Sequence, residues 1–297
     1  MALLRLFAKC CQKCVFCSYP REKESGRAAE EKLSYWLKSA AAVKAPLIQI
    51  SGGEPLLAEP YDLLKLAAFC ARLGRRVEIQ TNASGISGRF SETELQKLIK
   101  IISGSGGYFN INFSADTPGS DLKITRTRGA FARRLETVKK MLSQGASVRL
   151  TFVITKLNYR RLEKFGFFVV KELKGVSWVQ FSFVKGSGRA AFAKKIVPRY
   201  AMAAPYLRRA LAVCGAAGLK CEVDHIPPCF LGEYYRCHVD IGKMKLGSPG
   251  PHLAEKEKLT ECLGCGLYSG CSGPRKDYIA IYPGAGLTGA GIYGGLK

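Results

Sequence analysis

The chain is short of acidic residues: 23 Asp and Glu stand against 46 Lys and Arg, a formal charge of +23. That deficit excludes a neutral or acidic surface and leaves a strongly basic one. No run of about 18 apolar residues occurs, so no segment reads as a membrane-spanning helix. Ala2–Ala8 is apolar but short, is interrupted by Arg5 and runs straight into a cysteine-dense loop; it reads as a first strand and not as a signal peptide. There is no dense basic tail, no recognised RNA-binding module and no internal repeat beyond an alternation of strand and helix. What remains is a chain of 297 residues, long enough to bury a sizeable core.

Cysteine is what the chain has in excess. Twelve cysteines in a chain of this length read as metal ligation rather than a disulfide scaffold, which predicts a reducing, cytoplasmic setting. Cys10, Cys14 and Cys17 form C-x3-C-x2-C with Phe16 just before the last cysteine. Three thiolates on one loop hold three corners of a cubane iron–sulfur cluster and leave one iron open to an outside ligand. An open metal position is what catalysis needs. Two other readings compete. Cys11, Cys14 and Cys17 make C-x2-C-x2-C, part of a ferredoxin run, although its fourth cysteine and closing proline are absent. Zinc could use Cys10 or Cys11 with Cys14 and Cys17.

About 35 residues further on, Leu47–Ser51 reads as a buried strand that exits through Gly52-Gly53-Glu54-Pro55. Paired glycines let the backbone come close to a ligand, and the adjacent carboxylate can accept a hydrogen bond from an ammonium group. The cysteine loop and this segment together resemble the radical S-adenosylmethionine (SAM) superfamily. The resemblance implies a [4Fe–4S] cluster on Cys10, Cys14 and Cys17 whose open iron binds SAM. It places Gly52, Gly53 and Glu54 at the SAM amino group and Phe16 against the adenine.

Strand-like runs at Leu3–Phe7, Leu47–Ser51, Arg76–Thr81, Tyr108–Ser114, Val148–Thr155 and Val176–Phe183 alternate with helical periodicity at about 28–42, 59–73, 92–103, 130–144 and 159–173. Such alternation implies parallel pairing with right-handed crossovers. Six units predict an α/β fold, a partial (β/α)6 barrel, with an open doubly wound sheet as the alternative. In a parallel barrel the loops after the strands open on one face, where chemistry gathers. Thr81-Asn82, Ser114-Ala115-Asp116, Asn158 and Lys185–Arg189 all fall at such exits. Taken singly each is a turn or cap residue. By analogy with the family, Asn82, Ser114, Asp116 and Asn158 are expected to bind SAM.

A third cysteine group lies near the end of the chain. Cys229 follows Pro227-Pro228, and Cys262, Cys265 and Cys271 form C-x2-C-x5-C. Four thiolates would close a site. The segment resembles the SPASM and twitch extensions of radical SAM enzymes, which carry auxiliary [4Fe–4S] clusters. It departs from the full pattern, since Arg275 stands where a further cysteine is expected, so one auxiliary cluster is predicted. Zinc is the competing occupant, and Cys237 is a runner-up ligand. Cys70, Cys214 and Cys221 stand singly and read as core residues. The expected division is a barrel over 1–217 and an auxiliary-cluster domain over 218–297, ending in a Gly-rich stretch, Gly284 to Lys297, read as a loose or docked tail.

The resemblance implies reductive cleavage of SAM to a 5′-deoxyadenosyl radical, followed by hydrogen-atom abstraction. The expected substrate is a peptide or protein side chain, and the expected electron donor is of the flavodoxin or ferredoxin type. With no leader-binding segment read before the cysteine loop, the expectation is that a peptide relies on a separate partner or on the basic surface. The charge keeps nucleic acid as a further partner class, hence a tRNA-modifying enzyme as one alternative. A non-catalytic iron–sulfur or zinc scaffold is the other. No residue emerges as a substrate acid, base or radical relay, and Tyr234, Tyr235 and His238 read as surface packing.

Overall fold

Runs rich in β-branched and aromatic residues form strands, and the amphipathic stretches between them form helices, as their periods require. The computed structural model describes residues 1–18, 32–86, 88–191, 193–245, 251–284 and 286–287. The expected helix start at 28–31 and most of the Gly-rich tail lie outside them. The elements, in order, are β1 (Ala2–Arg5), α1 (Leu33–Ala42), β2 (Leu47–Ser51), α2 (Pro60–Arg72), β3 (Arg76–Thr81), α3 (Glu92–Gly104), β4 (Tyr108–Asn112), α4 (Pro118–Thr125), α5 (Ala130–Ser143), β5 (Val148–Ile154), α6 (Leu162–Glu172), β6 (Trp178–Phe183), α7 (Tyr200–Ala216), β7 (Cys221–Asp224), α8 (Val239–Lys245) and α9 (Lys276–Ile281).

Strand order follows chain order from β1 to β7. An order that never reverses has no switch point, which excludes the doubly wound alternative and matches the winding of a (β/α) barrel. The expectation of six strands is corrected to seven among the described residues. The missed strand, β7, is only four residues long and reads Cys-Glu-Val-Asp, with one buried side chain. The missed helix before it, α7, carries Pro205 in its interior, which masks its periodicity. Among the described residues no helix is long and apolar enough to cross a membrane.

The chain divides into two units. The first comprises Met1–Cys14, Tyr19–Thr151 and Leu173–Ser177. Its strands pair in parallel, with Gln49 opposite Glu78, Glu78 opposite Tyr108 and Asn110 opposite Arg149. Alternate residues face opposite sides. Ile48, Ile50, Val77, Ile79, Phe109, Ile111 and Leu150 are fully buried, and α1, α2 and α3 pack on the strands. Gln49, Glu78, Gln80, Tyr108, Asn110 and Arg149 occupy the other face. There the Glu78 carboxylate accepts hydrogen bonds from Gln49 at 2.7 Å, Tyr108 at 2.8 Å, Asn110 at 2.8 Å, and Gln80 and Arg149 at 3.0 Å each. Parallel sheets covered on both sides read as continuous apolar runs, and the polar alternate face departs from that pattern.

The second unit comprises Val15–Ser18, Phe152–Glu172 and Trp178–Lys297. Its core is aromatic. Phe152, Phe165 and Phe181 meet with ring centroids 4.6–6.3 Å apart, and Tyr200 of α7 stacks on Tyr278 of α9 at 3.6 Å. Strands β6 and β7 pair in parallel, Val179 opposite Cys221.

Candidate functional site

The first cysteine loop starts where the pairing of β1 and β2 runs past the strand ends. Leu6 donates to Ser51 at 3.0 Å, Gly53 to Phe7 at 2.6 Å and Glu54 to Lys9 at 2.8 Å. A Cβ on Gly53 would fall on the carbonyl oxygens of Ala8 and Lys9, so only glycine fits. The close approach expected of these glycines is therefore made to the chain's own backbone, and it delivers the chain to Cys10.

Glu54 is buried. Its Oε1 accepts from the Leu56 amide at 3.1 Å and from the Thr81 hydroxyl, and its Oε2 accepts from the Asn82 amide at 2.7 Å. Burial pushes its pKa up to about 7 against the pull of the Thr81 and Asn82 hydrogen bonds. Oε2 keeps acceptor capacity for one further donor, such as an ammonium group.

Asn82, at the exit of β3, turns its side chain to the cysteines. Its Nδ2 lies 3.7 Å from the Cys10 sulfur and 3.5 Å from the Cys11 sulfur, and its Oδ1 accepts from the Ser84 amide at 2.9 Å. Buried Gln12 reaches the Ser84 hydroxyl at 2.9 Å and accepts from the Cys14 thiol at 3.3 Å. Cys10 and Cys11 share a hydrogen bond that raises the pKa of the Cys10 thiol and lowers that of Cys11. Ser84 and Asn82 add to the pull on Cys11. Gln12 and Ser84 were missed in the sequence because single polar residues beside a motif carry no periodic signal.

In the second unit, the Cys17 carbonyl accepts from the Arg189 amide at 2.9 Å. Gly188, with φ +59°, abuts that carbonyl where a Cβ would clash. The loop after β6 thus holds Cys17, with Phe16 half-buried beside it in the chain.

The remaining strand-exit residues divide. Ser114 is buried and donates to Asn112 at 3.4 Å, and Asp116 is half-buried just beyond. Asn158 is engaged in its own turn. Its Oδ1 accepts from the Thr155 amide at 2.7 Å and hydroxyl at 3.0 Å, and its Nδ2 donates to Val153 at 2.9 Å. These bonds fix the turn at the end of β5.

Cys229, Cys262, Cys265 and Cys271 line one cavity together with Pro227, Lys258 and Tyr268. Burial pushes the Cys229 thiol up to about 12, and the charges of Cys271, Cys265 and Cys262 add to the push. Burial likewise raises Cys271 to about 11, opposed by the Gly273 amide, which donates to its sulfur at 3.3 Å. Thiols that raise one another's pKa face a common space, and a cationic occupant would relieve the repulsion. Cys237 does not line this cavity. Its charge acts on Cys221, which shares a hydrogen bond with fully buried Cys214. Arg275, where the SPASM pattern expects cysteine, is buried and pairs with Glu255 at 2.6 Å and Asp277 at 2.8 Å. His238 is also buried rather than on the surface, its Nδ1 accepting from the Asp240 amide at 3.1 Å. Among the described residues, no group of three or more His, Cys, Asp or Glu is arranged to hold a single metal ion.

The family description "Radical SAM superfamily" matches residues 4–169, more than half of the chain. The chain belongs to the radical SAM superfamily. Among its relatives, the PqqA peptide cyclase of Gluconobacter oxydans is 28% identical over 174 residues, covering 58% of this chain and 46% of the cyclase. The pre-heme d1 synthase of Dinoroseobacter shibae is 28% identical over 170 residues, covering 54% of this chain and 38% of the synthase. The chain thus spans less than half the length of these two relatives. In fold it is similar to Streptococcus suis SuiB bound to its precursor peptide SuiA, with TM-score 0.58 and 17% identity over 75% of this chain and 48% of that one.

Radical SAM proteins use a [4Fe–4S] cluster and SAM, and the donor sets here suit them. Amide N–H groups aimed at loop sulfurs stabilise thiolates, and four thiols converging on one pocket are the donor set of a cubane cluster.

Proposed function

We propose that this radical SAM protein modifies a peptide or protein side chain by hydrogen-atom abstraction. The observation that carries the reading is the gathering of Cys229, Cys262, Cys265 and Cys271 around one cavity, in a chain whose first cysteine loop is held by a Gly-Gly-Glu strand exit. Relatives named for peptide cyclisation and a precursor-peptide complex share the family and the fold. Residues 1–217 form the barrel domain in this reading, and 218–297 carry the auxiliary site.

Cys10, Cys14 and Cys17 would hold the SAM-binding cluster, and the four later cysteines an auxiliary [4Fe–4S] cluster. Cluster and SAM, when bound, supply a 5′-deoxyadenosyl radical. The chain's own residues bind and orient. Gly53 and Glu54 fix the entry to the loop, and the remaining acceptor position on Glu54 Oε2 would take the SAM ammonium. Asn82, whose amide faces the Cys10 sulfur, would donate to the cluster side, and Phe16, Gly52, Ser114 and Asp116 would complete the SAM side of the site. Asn158, held by its turn at the exit of β5, belongs to the same side in this reading.

The electron donor in this reading is an acidic protein of the flavodoxin or ferredoxin type in a reducing cytoplasm. Lys9, Lys13, Arg126 and Arg128 are exposed on and beside the first loop, where the Lys13 amide meets Thr125 at 3.0 Å. No Asp or Glu occurs in 9–13 or 122–133. Some surface cations elsewhere pair with carboxylates, as Arg89 does with Glu59 at 3.2 Å and Arg209 with Glu163 at 3.0 Å. An unbalanced patch beside the loop steers an anionic partner to the place where the electron must enter.

The test is anaerobic reconstitution followed by reduction with excess SAM. Formation of 5′-deoxyadenosine by wild type, and none by Cys10→Ala/Cys14→Ala/Cys17→Ala, is expected. Absence of SAM cleavage by an iron-replete wild type would leave the scaffold reading instead.

A further inference from the structure

Arg134 ends an arginine-rich stretch, Arg126–Arg134, of the kind that usually faces solvent. The fold buries it instead. Its side chain is 0% exposed and that of Asp121 is 2% exposed, with Nη1 2.6 Å from Asp121 Oδ1. Burying an ion pair is costly unless every arm is well placed, and Arg134 Nη2 has no hydrogen-bond partner among the described residues. The placement of the other arms shows what the pair holds.

One arm reaches the SAM side of the site. Arg134 Nε donates to the Asn82 carbonyl at 2.9 Å, while the guanidinium lies over the Phe113 ring at 5.0 Å. Asn82 is the residue whose amide faces the sulfurs of Cys10 and Cys11. The other arm reaches the cysteine loop. Asp121 Oδ2 accepts from the Thr125 hydroxyl at 3.3 Å, and the Thr125 carbonyl accepts from the Lys13 amide at 3.0 Å. Lys13 lies between Cys10 and Cys14. One buried pair therefore grips both the loop and the strand exit that faces it. A planar guanidinium presents its donors at fixed angles, which an ammonium group cannot reproduce.

We propose that Arg134 and Asp121 are a positioning pair that aims the Asn82 amide at the first cysteine loop and so raises the reduction potential of the cluster held there. The inference rests on the cluster site proposed above. Hydrogen bonds to cluster sulfurs favour the reduced, more negative state, and losing one lowers the potential. Arg134 acts on the sulfur only through Asn82, so the two residues form one unit.

The test is a redox titration of the reconstituted protein, following the EPR signal that SAM perturbs. Asn82→Ala, Arg134→Met and the double variant are compared at equal iron content. The expected result is a negative shift in both single variants and no further shift in the double, with Arg134→Lys failing to restore the wild-type value. A shift in Asn82→Ala with none in Arg134→Met, or shifts that add, would overturn the proposal. A wild type that binds iron but shows no SAM-perturbed signal would instead sink the functional reading beneath it. Should Arg134→Met not fold, metal-free Thr125→Val carries the test. Faster alkylation of Cys10 and Cys14 at an unchanged melting temperature supports the gripping role, and unchanged alkylation overturns it.

Discussion

The amide of Glu54 donates to the carbonyl of Lys9 across 2.8 Å, one residue before the first cysteine of the loop. That bond joins the two motifs that identify the family, and it is backbone to backbone. The Gly-Gly-Glu segment therefore acts first as a clamp on the cysteine loop, whatever its side chain binds afterwards.

The clamp predicts a steric defect in Gly53→Ala. The new methyl would sit on the carbonyls of Ala8 and Lys9, and backbone cannot turn aside as a side chain can. A loss of about 1–3 kcal/mol of stability is expected. Iron bound at the first site should fall with it, while iron at the later cysteines stays. Thermal unfolding and iron content of the purified variant measure both, and a variant with wild-type iron would refute the clamp.

Glu54 predicts a pH-dependent stability of the metal-free protein. Its folded pKa, about 7, lies above the ordinary carboxylate value. Between about pH 4.5 and 7 the folded state therefore binds more protons than the unfolded one, and stability falls as pH rises. The full effect is on the order of 3 kcal/mol. Glu54→Gln removes the titration, so the slope of stability against pH over this window should be flatter in the variant. Denaturant unfolding at several pH values decides the matter, and parallel curves would reject it.

The cavity lining predicts different outcomes for cysteines that look alike in sequence. Cys262→Ala or Cys271→Ala should remove about four irons per chain. Cys237→Ala should remove none, because Cys237 lies off the cavity. Equal iron loss in all three would place Cys237 among the ligands. One zinc in place of the second set of irons would make the later site structural.

The basic patch predicts a salt-sensitive encounter. The triple variant Lys13→Glu/Arg126→Glu/Arg128→Glu should slow reduction by an acidic flavodoxin by about tenfold or more at low salt. Reduction by dithionite should not change. Equal rates with flavodoxin would remove the docking role. Retention of wild type, but not the variant, on RNA at physiological salt would favour the tRNA-modifying alternative.

Both cysteine groups and the Gly-Gly-Glu segment were legible in the chain, because their information is local. Ligand spacing and a two-glycine turn are properties of a few consecutive residues. The strands Leu47–Ser51 and Arg76–Thr81 match their predicted bounds because period-2 alternation ends sharply at turn residues. β7 and α7 were not read, since four residues are too few for a period and Pro205 argues against a helix that forms around it.

What the sequence by itself determined is the chemistry available and the winding of the chain, since residue types and periodicity need no partner to act. Long-range partners are another matter. That Arg134 is buried against the Asn82 carbonyl while Arg126 and Arg128 stay exposed, and that Asn82 faces thiols, depends on contacts between residues far apart in the chain. The same holds for Glu78, whose five donors come from β2 to β5. Only the tertiary structure decided these, because a polar side chain takes its role from what the fold brings within hydrogen-bonding distance of it.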